Sequence, residues 1–153
     1  LAALLFIGMS APAFAGCYSR SEAEAEQGLR IHSEMMIIGL NCMGIVKDPQ
    51  LYSKYHTFTR QNIGLINGWE DTMIRYFDRN GGKGETQFHD FRTRMANAIS
   101  TDVAHMRPDV FCFNNINRIY KALKMSSAEV QNWASTPYRG VPSSKPLCAS
   151  TGR

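Results

Sequence analysis

The chain has 153 residues, 44% of them hydrophobic and 20% charged, enough for one domain with a real core. Seventeen Lys and Arg against thirteen Asp and Glu leave a net charge of +4. The basic residues are scattered and form no run, which argues against a nucleic-acid partner and fits an unidentified envelope protein or an anionic surface.

The first fifteen residues read as a secretory leader. An apolar run from Leu1 to Met9 is broken by Ser10 and Pro12, and Ala13-Phe14-Ala15 then places small residues at the two positions a processing peptidase reads, ahead of Gly16. The run is too short to span a bilayer, which needs about 20 apolar residues. It carries neither an initiating Met nor a basic region, so residues 1–15 are expected to be a signal peptide truncated at its start. A lipoprotein reading, with Phe14-Ala15-Gly16-Cys17 as the lipobox, would acylate Cys17 and leave three cysteines. Cys17, Cys42, Cys112 and Cys148 form an even set, and in an oxidising compartment that favours two disulfides.

Beyond the leader, the hydrophobic period is helical throughout. Ser21-x-x-Glu24 fits a capping box, and Ala25, Leu29, His32, Met36 and Leu40 continue one stripe to the Lys47-Asp48-Pro49 turn. From Met35 to Ile45 the segment is apolar nearly all round, which implies enclosure by neighbouring helices. Asp48 and Pro49 supply a cap and first-turn proline for a second helix, whose stripe runs from Leu51 through Tyr55, Phe58, Trp69 and Phe77 to Asn80-Gly81-Gly82. Gly64 and Gly68 suggest a kink or a close helix contact along it. A third helix starts near Glu85 and carries Phe88, Phe91, Met95, Ile99, Val103 and Met106 on one face. Arg107-Pro108 breaks it, and a fourth helix follows with Cys112, Ile116, Ile119 and Leu123. Ser126-x-x-Glu129 opens a short fifth helix, after which Pro137, Gly140, Pro142 and Pro146 forbid regular structure.

Short connections between long helices predict an all-α, up-down-up-down four-helix bundle over residues 16–136, with the short fifth helix and an irregular, disulfide-tethered tail over 137–153. That geometry selects the disulfides. Cys17 and Cys42 bracket one helix of ~20 residues, whose ends stand ~30 Å apart, whereas a disulfide needs Cα atoms within about 7 Å. Cys42 and Cys112 meet at one end of such a bundle and Cys17 and Cys148 at the other, so those are the expected pairs.

Several weaker signals bear on chemistry. His56, His105, Met106, Met43 and Asp109 fall near one end of the bundle, and imidazole with thioether suits copper in an oxidising compartment. No C-x-x-C-H occurs for covalent haem, and His32 is the one mid-helix candidate for a non-covalent ligand. Asn114, Asn115 and Asn117 beside Arg118 and Tyr120 make one helix unusually polar. Gln87-Phe88-His89-Asp90-Phe91 resembles the H-D-F element of small secreted bacterial phospholipases A2, which are helical with two disulfides. The resemblance implies a calcium-dependent lipid hydrolase in which His89 activates water and Asp90 helps hold calcium. It covers these few residues alone: the Cys that precedes the family's motif is absent, and Gly81-Gly82-Lys83-Gly84 stands where a calcium loop with its Asp would lie. No G-x-S-x-G, P-loop or H-E-x-x-H is present. The expectation is a periplasmic or secreted, disulfide-stapled helical protein of the bacterial envelope. Its role is binding or structural, it needs no cofactor, and it has no membrane span once the leader is removed.

Overall fold

A computed structural model of the chain describes residues 16–136 and 143–149. The leader assigned to 1–15, and positions 137–142 and 150–153 of the tail, lie outside the described residues. Those described form six helices: α1 Arg20–Cys42, α2 Leu51–Gln61, α3 Ile63–Gly81, α4 Gly84–Met106, α5 Pro108–Ala122 and α6 Ser127–Ser135. They include no strand, only an isolated parallel bridge between Tyr18 and Leu147.

The start of α1 differs from expectation. Its capping box is Ser19-x-x-Glu22, not Ser21-x-x-Glu24: the Ser19 hydroxyl accepts from the Glu22 N–H at 3.3 Å, and Glu22 Oε2 accepts from the Ser19 N–H at 2.7 Å. Glu24 is not free to close the later box, because its carboxylate accepts from Trp69 Nε1, Gln131 Nε2 and Ser135 Oγ at 3.2, 3.0 and 2.7 Å.

The single second helix expected from periodicity is two. Asn62 separates α2 from α3 while fully buried, and its Nδ2 donates to the Phe58 carbonyl at 2.9 Å. Its own N–H reaches the Phe58 and Thr59 carbonyls at 3.2 Å each, so the side chain and the backbone compete for one turn of carbonyls and the helix is interrupted there. At the head of α2, Gln50 occupies the cap position and Pro49 precedes the helix. Asp48 Oδ1 accepts from the Gln50 N–H at 3.1 Å, while Oδ2 takes Lys54 Nζ at 2.5 Å and the Tyr120 hydroxyl at 2.7 Å.

Further along, the local signals hold. Gly82, at φ 71°, closes α3 in the left-handed conformation, and Asp78 caps α4 from outside by accepting from the Gly84 N–H at 2.7 Å. Pro108 opens α5, and Ser126 with Glu129 forms the capping box of α6.

α1 packs against each of the other five helices. Its partners along α2 and α3 run in reverse order, from Tyr55 beside His32, through Trp69 beside Glu24, to Arg79 beside Glu22. α5 likewise runs against α1, with Cys112 at Cys42 and Arg118 at Glu34. Disulfides join Cys42 to Cys112 (Cα–Cα 5.4 Å) and Cys17 to Cys148 (4.9 Å), the pairing expected from helix geometry.

The close helix contact anticipated at Gly64 or Gly68 lies elsewhere. A Cβ at either would meet nothing within 4 Å, whereas one at Gly28 would fall 2.4 Å from the indole ring of Trp69. Gly28→Ala is therefore expected to lower stability by about 1–3 kcal/mol through overpacking, in spite of its helix propensity. Gly64→Ala and Gly68→Ala should raise stability by up to about 1 kcal/mol each. Urea denaturation of the three variants checks the contrast; equal effects would contradict the packing.

Candidate functional site

The sequence-derived candidates have separate surroundings. His89 and Asp90 are exposed on the second turn of α4, while Phe88 and Phe91 beside them enter the core. His56 is exposed on α2, its ring 4.5 Å from that of Tyr52 and 5.2 Å from that of Tyr55. His105 and Met106 end α4 in solvent, and Met106 Sδ lies 4.0 Å from Asn114 Nδ2. Met43 packs on the core and, with Gly44, Lys47 and Pro49, lines an open depression of about 470 Å³. Asp109 pairs with Arg107 at 3.0 Å. Among the described residues, no group of three or more His, Cys, Asp or Glu is placed to hold a metal ion.

Of the polar residues of α5, Asn114 and Asn117 are exposed, while Arg118 and Tyr120 reach other elements. Asn115 Nδ2 donates to the Phe111 carbonyl, and Tyr120 donates to Asp48. Arg118 pairs with Glu34 at 2.8 Å and lies 5.4 Å from the centre of the Trp133 ring.

One strongly perturbed group among the sequence-derived candidates is His32. It sits mid-way along α1, 8% exposed, and four helices supply its surroundings. From α2, the Thr59 hydroxyl lies 3.1 Å from Nε2 and the Tyr55 hydroxyl 3.2 Å, with the Tyr55 ring stacked on the imidazole at 5.4 Å. From α4, Arg92 NH2 approaches Nδ1 at 3.5 Å, and from α3, Glu70 holds the same guanidinium through NH1 at 3.0 Å. Next to His32, the Ser33 hydroxyl donates to Met95 Sδ at 3.8 Å.

These contacts assign the tautomer. A guanidinium only donates, so Nδ1 is the accepting nitrogen and the proton resides on Nε2. Thr59 already donates its own hydroxyl proton to the Tyr55 carbonyl at 3.1 Å, which leaves its oxygen to accept from Nε2, and the Tyr55 hydroxyl oxygen accepts a share of the same N–H. Burial, helped by the Arg92 charge, lowers the imidazole pKa to about 4. His32 is therefore neutral at pH 7, with both ring nitrogens engaged. It offers no free lone pair to a substrate proton or a haem iron, and its chemistry is that of a neutral fastener between α1, α2 and α4.

Sequence reading found His32 but not its partners. Tyr55 passes as one more member of an apolar stripe, and Thr59, Glu70 and Arg92 as solvent-facing residues of amphipathic helices. Only the positional coincidence of a histidine with an apolar helix face hinted at a buried polar cluster.

The lowered pKa has a thermodynamic consequence. The unfolded chain binds a proton at His32 below about pH 6.5, and the folded chain only below about pH 4, so stability falls as pH drops through that window. The expected loss is about 3 kcal/mol between pH 7 and pH 4, and His32→Gln should remove that part of the slope. Denaturant titrations of both proteins at several pH values decide it; identical slopes would contradict the assignment. No protein-family model, curated protein or solved structure matches this chain, so its function must be drawn from its own side chains.

Proposed function

We propose that the chain is an exported, disulfide-stapled helical protein that acts in the periplasm or outside the cell by binding or as a structural element, not by catalysis. The observation that carries this is how the buried ionisable groups of α1 are used. Glu22 is spent on Arg79, Glu26 on Ser144 and Arg30, Glu34 on Arg118, and His32 on Thr59, Tyr55 and Arg92. A catalytic centre keeps at least one such group available to substrate.

Two disulfides suit an oxidising compartment, and no helix among the described residues is long and apolar enough to cross a membrane. An up-down-up-down bundle with α2 and α3 together as its second member accords with the antiparallel runs of contacts along α1. The bond from Cys17 to Cys148 employs the sulfur that a lipoprotein would acylate, which supports cleavage of the leader after Ala15. The net charge of +4 points to an envelope protein or an anionic surface as partner.

The hydrolase resemblance at His89 and Asp90 supplies the sharpest test. Protein purified from a bacterial periplasm should begin at Gly16 and release no fatty acid from phospholipid vesicles with or without calcium, and His89→Ala should change nothing. Calcium-dependent hydrolysis that disappears in His89→Ala would overturn the binding role.

A further inference from the structure

The two disulfides have opposite surroundings. Cys42 and Cys112 are both wholly buried, whereas Cys148 is exposed and Cys17 half-buried. Thiol–disulfide exchange needs a thiolate to reach a bridge sulfur, so accessible bridges are open to reduction and enclosed ones are protected.

The two sides of the exposed bridge are anchored unequally. On one side, Tyr18 is 2% exposed, its ring lies 4.8 Å from that of Tyr76 on α3, and the next residue, Ser19, caps α1. On the other side, Ser144 to Ala149 are all exposed. Two backbone bonds tie this segment to Tyr18, whose N–H donates to the Pro146 carbonyl and whose carbonyl accepts from the Cys148 N–H, each at 2.8 Å. Glu26, 1% exposed, holds Ser144 by accepting from its N–H at 2.8 Å and its hydroxyl at 2.5 Å, and the Tyr18 hydroxyl lies 3.1 Å from that same hydroxyl. Ordering an exposed seven-residue segment costs conformational entropy that a few hydrogen bonds offset only in part, and the covalent bond confines the segment to the site.

We propose that Cys17–Cys148 is a reducible latch, whose opening by a dithiol reductant releases residues 143–149 and uncovers Tyr18 and Glu26, while Cys42–Cys112 keeps the helical body intact. In the first step a reductant thiolate attacks the Sγ of Cys148, the more exposed residue of the bridge. The S–S bond breaks, a mixed disulfide forms, and Cys17 leaves as a thiolate that takes up a proton. The reductant's second thiol then attacks the mixed disulfide through its own sulfur. The reductant departs oxidised to its disulfide, and Cys148 leaves as a thiolate that takes up the second proton. Tyr18 stays in place against Tyr76 and the segment departs, taking the Ser144 donors away from the Glu26 carboxylate. The latch thus couples the redox state of the compartment to exposure of a carboxylate and an unpaired stretch of backbone at the start of α1.

The test uses the full chain at neutral pH without denaturant. The protein is treated with graded dithiothreitol, quenched with an alkylating reagent and mapped by mass spectrometry, with amide hydrogen exchange measured on the same samples. Alkylation should appear at Cys17 and Cys148 while Cys42 and Cys112 remain joined. The amides of Tyr18, Ser144 and Cys148 should then exchange at least about tenfold faster, with the centre of α1 unchanged. Cys148→Ser should show the same fast exchange without reductant. Equal alkylation of all four cysteines, or undiminished protection of 143–149 after the bridge is open, would overturn the proposal.

Discussion

Enclosure of α1 by every other helix is the constraint on which the rest of the structure depends. A helix in that position would be simplest if wholly apolar, yet α1 carries Glu22, Glu26, Gln27, His32 and Ser33 at buried positions and Glu34 at a mostly buried one, with Gln27 Nε2 finding no hydrogen-bond partner among the described residues. An unpaired buried charge or hydrogen-bonding group is costly, and the four ionisable residues and Ser33 each meet a partner brought by a neighbour. α3 brings Arg79, α5 brings Arg118, and α2 brings Tyr55 and Thr59. α4 brings Arg92 and Met95, and the tail brings Ser144. Replacing one such pair by apolar groups costs little, but losing one partner strands the other. The pairs therefore fix which helix lies where around α1, and at what height, more than they add net stability. Glu34 shows the tension: burial raises its pKa, while the Arg118 and Arg30 charges oppose that rise.

The disulfides act on the same helix from its two ends. Cys42–Cys112 spans 70 residues of sequence and Cys17–Cys148 spans 131. In the chain-entropy account, closing a loop of either length restrains the unfolded chain by about 4–5 kcal/mol, and the two loops overlap, so the effects do not simply add. The bridge at Cys42 fastens α5 to the top of α1 within the core. The bridge at Cys17 holds a surface segment that hydrogen bonds alone would hold weakly. One bond belongs to the folding unit and the other to its periphery.

Much of this was legible in the sequence, for local reasons. The break at Arg107-Pro108, the capping box at Ser126 and the stop at Gly82 each depend on a few adjacent residues. The disulfide pairing depends on the rigidity of a long helix, which excludes Cys17–Cys42, and on the antiparallel order of its neighbours, which chooses between the two pairings that remain. The failures were tertiary. Two overlapping capping boxes, at Ser19 and Ser21, are indistinguishable until Trp69, Gln131 and Ser135 are seen to occupy Glu24. The break at Asn62 requires the burial of that side chain, which periodicity does not report. The partners of His32 lie 23 to 60 residues away on two other helices, and each passes alone for an ordinary helix residue. His89, Asp90, His56 and His105 are the weaker candidates for chemistry that the sequence offers. Each stands on an exposed helix face, where polar residues are most often found.

The central claim is that the polar residues of α1 are internal fasteners, and His32 tests it most directly. Long-range nitrogen–proton correlation NMR of the histidine rings between pH 3.5 and 8 reports both the tautomer and the titration of each ring. The account predicts that His32 holds its proton on Nε2, keeps Nδ1 unprotonated at neutral pH, and becomes charged only near pH 4. A proton on Nδ1, or titration near pH 6.5 like a solvated imidazole, would mean that His32 is not locked between its neighbours and that the centre of the bundle is open to other chemistry.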